Sequence, residues 1–122
     1  MGERVQGARP RQRWGFAVVR GRSMEPTLRA GERLLVQHGA EVHAGELVVA
    51  RFIDGTVVVK RASEARRTRT GEPGWWLLSD NPAEGVDSRH RGVVASADVL
   101  AVVRGRIWPP AVWPRRPRRG SM

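Results

Sequence analysis

Glu46-Leu47-Val48-Val49-Ala50-Arg51-Phe52-Ile53-Asp54-Gly55-Thr56-Val57-Val58-Val59-Lys60-Arg61 contains two runs rich in β-branched residues, Glu46 to Ile53 and Thr56 to Arg61, separated by Asp54-Gly55. Such side chains suit a pleated, half-buried surface, and Asp-Gly between two of these runs is a two-residue type I′ hairpin signature. That turn predicts Ile53 opposite Thr56, Arg51 opposite Val58 and Val49 opposite Lys60. Lys60 then shares a sheet face with Val58 and Val49, while Val57 and Val59 occupy the other. An ammonium held among valines is partly desolvated, which lowers its pKa. The plainer alternative is a strand-end lysine whose stem crosses the valines and whose head stays in water.

Outward from this hairpin the chain reads as more short strands. Trp14 to Val19 is a first strand and Arg33 to Gln37 a second, with Leu34 and Val36 on one face. Ala62 to Gly74 is polar and arginine-rich, with Gly71, Pro73 and Gly74, so a loop or the tip of a longer excursion is expected there. Trp75 to Leu78, Gly92 to Val94 and Val99 to Ile107 complete the strands, with Ser96-Ala97-Asp98 as a turn and Pro109-Pro110 as the end. Trp75 and Trp76 read as core or rim packing. Neither an internal repeat nor a long amphipathic helix is visible. The expected fold is mostly β, a single compact domain of short, twisted antiparallel strands.

One segment has no strand or helix period. Gly21-Arg22-Ser23-Met24-Glu25-Pro26-Thr27-Leu28 sets a hydroxyl between a glycine and a proline-containing turn, and Pro26 limits any helix to a short turn. A serine hydroxyl attacks a carbonyl only if a nearby base takes its proton. Of 22 basic residues, Lys60 is the only lysine. Arginine stays protonated at any working pH, whereas a desolvated lysine becomes neutral and can act as a base. Ser23 and Lys60 are therefore the candidate catalytic pair.

Composition bounds the alternatives. A chain of 122 residues suits one domain. The organisation expected is a basic N-terminal tail over 1–13, a folded domain over 14–109 that holds the candidate pair, and a basic Pro/Arg-rich C-terminal tail over 110–122. Net charge is +10 and the pI about 11.8, which would suit a nucleic-acid or anionic-membrane partner. The arginines are spread along the chain instead of forming one periodic face, so no nucleic-acid partner is expected. The C-terminal Arg-Pro tail leaves peripheral contact with a membrane surface, or with an acidic precursor, open. The absence of cysteine removes disulfides, thiolate metal sites and a cysteine nucleophile. His38, His43 and His90 lack ligand spacing, so no metal is expected and they are assigned to solvated loops. Apolar runs such as Leu34 to Val36 are strand-sized, far short of the roughly 18–20 residues that cross a bilayer. With no signal-peptide pattern at Met1 to Arg13, no transmembrane anchor and a cytoplasmic location are expected.

The remaining polar constellation is Ser79-Asp80-Asn81-Pro82-Ala83-Glu84-Gly85-Val86-Asp87-Ser88-Arg89. From its composition it is a turn-rich loop, and Asp87 with Arg89 reads as an exposed ion pair of little energetic worth.

Together these segments resemble the type I signal peptidases over about residues 16 to 107. That family carries a Ser-Met-x-Pro-Thr-Leu box, matched by Ser23 to Leu28. A Gly-Asp-aliphatic stretch is approximated by Gly31 to Val36 and Gly45 to Val49. A Val-Lys-Arg strand is matched by Val59-Lys60-Arg61, and a Gly-Asp-Asn box followed by Asp-Ser-Arg by Asp80-Asn81 and Asp87-Ser88-Arg89. The resemblance implies an all-β serine endopeptidase without cofactor, with Ser23 as nucleophile, Lys60 as general base and the Ser23 backbone N–H in the oxyanion hole. Asp80, Asn81, Asp87, Ser88 and Arg89 would support the site. Gly85 stands where many members have a serine that orients the lysine, so that role would pass elsewhere, to Ser88 or a water. Gly21 stands where some members place an oxyanion-hole hydroxyl. The family's membrane anchor and second β domain have no counterpart here. In this the chain resembles the nickel-type superoxide dismutase maturation proteases, which implies a protein precursor, the superoxide dismutase leader, as substrate. Two other readings are a LexA-like self-cleaving peptidase and a non-catalytic basic β-module that binds nucleic acid.

Overall fold

A computed structural model describes residues 13–109; apart from Arg13 and Pro109, the expected tails and the Pro110 boundary lie outside the described residues. The strands are β1 (Arg13–Val18), β2 (Arg33–His38), β3 (Leu47–Arg51), β4 (Val57–Arg67), β5 (Pro73–Leu78), β6 (Val94–Ala95) and β7 (Val99–Trp108). They form one seven-stranded sheet in the order β1-β2-β7-β3-β4-β5-β6, and each paired neighbour is antiparallel. The one described α-helix is a single turn, α1 (Ser88–Arg91), and a 3₁₀ turn covers Ser96–Asp98.

The sheet curls because its centre is apolar on both faces. Val48, Val49 and Ala50 form an unbroken buried run in β3, the pattern of a strand covered on both sides. Val49 joins Val19, Met24, Leu28, Leu34, Val36 and Ala101 in one cluster. Val48 and Ala50 turn to the other face, with Phe52, Ala62, Leu77, Val94 and Val102. The alternation of side chains along β3 and β7 thus divides one sheet into two small cores.

The β3–β4 hairpin forms one residue away from the expected register. Val48, not Val49, faces Lys60; Val49 faces Val59 and Arg51 faces Val57. The turn accounts for this. Phe52 N donates to Thr56 O at 2.8 Å and Gly55 N to Phe52 O at 2.8 Å, so Ile53-Asp54-Gly55 is a three-residue connection with Gly55 at φ 91°. Asp-Gly serves both hairpin loops, because in each the glycine takes a positive φ without a Cβ clash. Lys60 consequently stands between Val58 and Ala62 on the face of the second core, opposite the fully buried Val48.

A second difference lies after Lys60. Most of Ala62 to Gly74 is strand: β4 continues to Arg67, and β5 begins at Pro73. The outer end of this ribbon is polar because it projects into solvent. There Arg66 pairs with Glu64 at 2.6 Å and lies 4.1 Å from the Trp76 ring centroid, while Trp75 packs on the second core. His38 also departs from its expected loop, closing β2.

Leu34 is completely buried in the first core. Leu34→Ala is expected to cost about 2–5 kcal/mol of stability, measured as a lower urea midpoint at unchanged m-value.

Candidate active site

Ser23 lies on the connection from β1 to β2, which folds back over the first core. Val19 N donates to Glu32 O and Gly31 N to Val19 O, each at 2.8 Å, closing the base of this loop. Glu32, itself buried, accepts from Arg29 N at 2.9 Å and Arg106 Nη1 at 2.8 Å. Met24 and Leu28 plug the loop into the core, joined by the Leu28 N to Met24 O bond at 2.9 Å. The residue before Met24 is thereby held at the rim, and it is Ser23. Its backbone N–H makes no hydrogen bond among the described residues.

The loop after β5 grips this segment from the other side. Asn81 N donates to Ser23 O at 2.8 Å and Asn81 Nδ2 to Arg22 O at 3.1 Å. Asp80 accepts from Thr27 Oγ1 at 2.6 Å and from Arg61 Nη2 at 2.6 Å. Burial alone would raise the Asp80 pKa; the hydrogen bonds from Arg61 and Thr27 and the Arg61 charge outweigh it and lower the pKa. Asp80 and Asn81 therefore join the serine loop to β4 beside Lys60.

Asp87, expected as half of an exposed pair, is fully buried. Its Oδ2 accepts from Ser79 N at 2.8 Å and Arg89 Nη2 at 3.0 Å, its Oδ1 from Arg89 N at 3.0 Å and Arg89 Nε at 3.1 Å. It caps α1, and His90 Nδ1 accepts from Asp87 N to complete a capping box. Burial pushes its pKa up, but the hydrogen bonds from Arg89 and from the Ser79 and Arg89 amides, with the Arg89 charge, pull it down to about 2. This ion pair holds the loop, where an exposed one would contribute little.

Ser23 and Lys60, far apart in sequence, meet at Gly85. A methyl group built on Gly85 would lie 3.3 Å from Lys60 Nζ, 3.5 Å from Ser23 Oγ and 2.6 Å from Ser23 Cβ. Both functional atoms thus border one point, and Gly85, at φ 78°, leaves the space between them open. Lys60 is 2 % exposed. Burial lowers its pKa below 10.5; the Asp87 charge opposes this and Arg89 reinforces it. A lysine in this setting is more easily neutral than one in water.

Lys60 Nζ donates to Ser79 Oγ at 2.9 Å. The hydroxyl bonded to the lysine is therefore that of Ser79, where Ser88 or a water was expected. Ser88 Oγ instead accepts from Leu77 N at 2.8 Å, a structural contact under β5. A signal for Ser79 existed in the sequence, since it occupies the glycine position of the Gly-Asp-Asn box.

Two grooves meet at Ser23. One, of about 660 Å³, is lined by Phe16, Val18, Val49, Val57, Val59 and Leu100 among others. The second, of about 370 Å³, is lined by Lys60 and Gly85 with Arg20, Arg22, Glu84 and Arg91. A mainly apolar trough and a charged one therefore flank the hydroxyl, with Arg20, Thr56 and Val58 common to both. The apolar groove residues did not stand out in the sequence, where Phe16, Val18, Val49, Val57, Val59 and Leu100 are ordinary strand positions.

The folded-state pKa of Asp87 is depressed, so its stabilising contribution is complete above the ordinary 3.8 and is lost as pH falls toward about 2. Wild type is expected to lose Tm more steeply across that window than Asp87→Asn. At neutral pH, Asp87→Ala should cost about 3–5 kcal/mol, read by chemical denaturation.

No curated protein gives a significant match to the chain. A family model described as "Peptidase S24-like" matches residues 5–103, which covers most of the chain and nearly every described strand. With its single curled antiparallel sheet, of the serine protease fold common to LexA and the signal peptidases, the chain belongs to the peptidase S24-like family and is a serine peptidase.

Proposed function

We propose that the chain is an endopeptidase in which Ser23 is the nucleophile and Lys60 the general base, and that it removes an N-terminal leader from a protein precursor. The observation that carries this reading is the convergence of Ser23 Oγ and the buried Lys60 Nζ on the space beside Gly85. Neutral Lys60 takes the hydroxyl proton as Ser23 Oγ bonds to the scissile carbonyl carbon. The resulting ammonium returns that proton to the leaving amine as the C–N bond breaks, leaving an acyl-enzyme. Water then attacks the ester with Lys60 again taking a proton, and Ser23 recovers its hydrogen. The Ser23 N–H is the donor proposed for the oxyanion, a contribution of about 3–4 kcal/mol when such a donor is lost.

Asp80, Asn81, Asp87, Ser88 and Arg89 act as supports in this reading. They fix the two loops that carry and face Ser23, and none reaches the serine hydroxyl itself. The apolar groove beside β1 suits an extended substrate segment with small or aliphatic side chains.

The leader of a nickel superoxide dismutase precursor is the proposed substrate, supported by the resemblance of a short, arginine-rich chain carrying the signal-peptidase boxes to the maturation proteases. The S24-like match favours a second reading, cleavage of the chain's own N-terminal segment. One experiment separates them: incubation with that precursor and with a proteome-derived peptide library, with mass spectrometry of every new N-terminus, the peptidase's own included. Wild type is expected to trim the precursor at one bond, with Ser23→Ala and Lys60→Ala slower by at least about 10³-fold. An intact precursor with Ser23-dependent cuts in the library removes the substrate and keeps the enzyme. Cuts confined to the peptidase itself select the self-cleaving reading, and no Ser23-dependent product at all refutes the dyad.

Because only neutral Lys60 accepts a proton, kcat/KM should rise with pH through the Lys60 pKa. The acid limb should lie below the ordinary 10.5, as read from a pH–rate profile.

A further inference from the structure

A dyad lysine has two requirements: a neutral amine, and a lone pair aimed at the serine. The row Val58-Lys60-Ala62 and the facing Val48 supply the first by excluding water from the stem. The side chains of Val58, Ala62 and Val48 contain no polar atom that could orient the head. Four rotatable side-chain bonds precede Nζ, so packing of the stem leaves the direction of the amine undetermined.

We infer that Ser79 is the positioning residue for Lys60, its hydroxyl accepting one amine N–H so that the nitrogen lone pair is left directed toward Ser23. The inference rests on the dyad reading above. Ser79 Oγ, 2.9 Å from Nζ, is the hydrogen-bond partner of Lys60 among the described residues. Ser79 is 7 % exposed and held rigidly. It directly follows β5, and its own N–H donates to the Asp87 carboxylate, which Arg89 clamps through three nitrogens. On the other side, Asp80 is tied to Arg61 and Thr27. The backbone that carries the Ser79 side chain is thus anchored on both sides, with the hydroxyl in contact with the amine.

The other places for such a hydroxyl are closed. A side chain at residue 85 would meet Ser23 Cβ at 2.6 Å, and Ser88 already accepts from the Leu77 amide. A hydroxyl at 79 and a glycine at 85 are therefore complementary. The orienting group has moved to the start of the loop, and the space it would fill beside the serine is vacated.

A hydroxyl accepting from an amine also favours the ammonium form, through the stronger charge-assisted bond. The charged groups that bear on Lys60 or line its groove are Asp87, Arg89, Arg20, Arg22, Glu84 and Arg91. A Ser79 substitution leaves all of them in place, so a shift in the Lys60 titration reports the hydroxyl alone.

The test uses full-length protein and a fluorogenic peptide spanning the bond cut fastest in the library. Ser79→Ala should lower kcat on the order of 10²-fold with KM little changed, and should move the acid limb of kcat/KM to lower pH. Ser79→Thr, which keeps the hydroxyl, should recover most of kcat and the original limb. If Ser79→Ala folds poorly, Ser79→Cys, a weak acceptor of similar bulk, should give the same displaced limb. Wild-type kcat with an unmoved limb in Ser79→Ala overturns the inference, as does a well-folded Ser79→Thr as slow as Ser79→Ala. Ser23→Ala and Lys60→Ala run alongside. If both are inactive while Ser79→Ala is normal, the positioning role falls and the dyad stands; if Ser23→Ala still cuts, the dyad falls and the positioning role with it.

Discussion

The Asp87 carboxylate is the constraint on which the site depends. A buried anion is costly unless its oxygens are filled, and here the Arg89 guanidinium and the amides of Ser79 and Arg89 fill them. Satisfying one carboxylate therefore fixes the start of the loop after β5, its end, and the first turn of α1. Both ends of the segment carrying Asp80, Asn81 and Gly85 are pinned by this one group. The same segment borders Lys60 and grips the serine loop, so this one carboxylate bears on the surroundings of both groups.

The two cores add the second requirement. Because β3 and β7 bury side chains on both faces, the sheet curls, and the strand carrying Lys60 comes beside the loop carrying Ser23. Met24 roots the serine loop in one core while Lys60 rises from the row that borders the other. The two groups belong to different packing units and meet only at their common edge. Gly85 at that edge lets the backbone approach both, since any side chain would occupy the space in which they face each other.

The environment of Lys60, the proposed base, acts on its proton chiefly through burial. Burial works against the ammonium, Asp87 works for it, and Arg89 works against it again. Since Asp87 and Arg89 are paired with each other, much of their influence cancels, and desolvation by the valine-rich strands is left as the leading effect. A lone, buried lysine in a chain otherwise supplied with arginine is a cation able to lose its proton.

Much of this was legible in the amino-acid sequence. Alternation and turn residues identified most of the strands, the single lysine among arginines the base candidate, and an aperiodic stretch between a glycine and a proline the serine candidate. Each is a local property, determined by side-chain chemistry or by spacing along one strand. What the tertiary structure decided is what local spacing cannot encode. The Asp54-Gly55 turn accommodates either loop length, so only the packing of Val48 and Ala50 in the second core settled that Val48 faces Lys60. The polar composition of Ala62 to Arg67 resembles a loop because nothing local shows that strand pairing continues into solvent. Asp87 reads as half of a surface pair because its burial is created by strands distant in sequence, while Arg89 itself stays exposed. Ser79 gained its place beside Lys60 only when residues 19 positions apart were joined by sheet pairing and an ion pair.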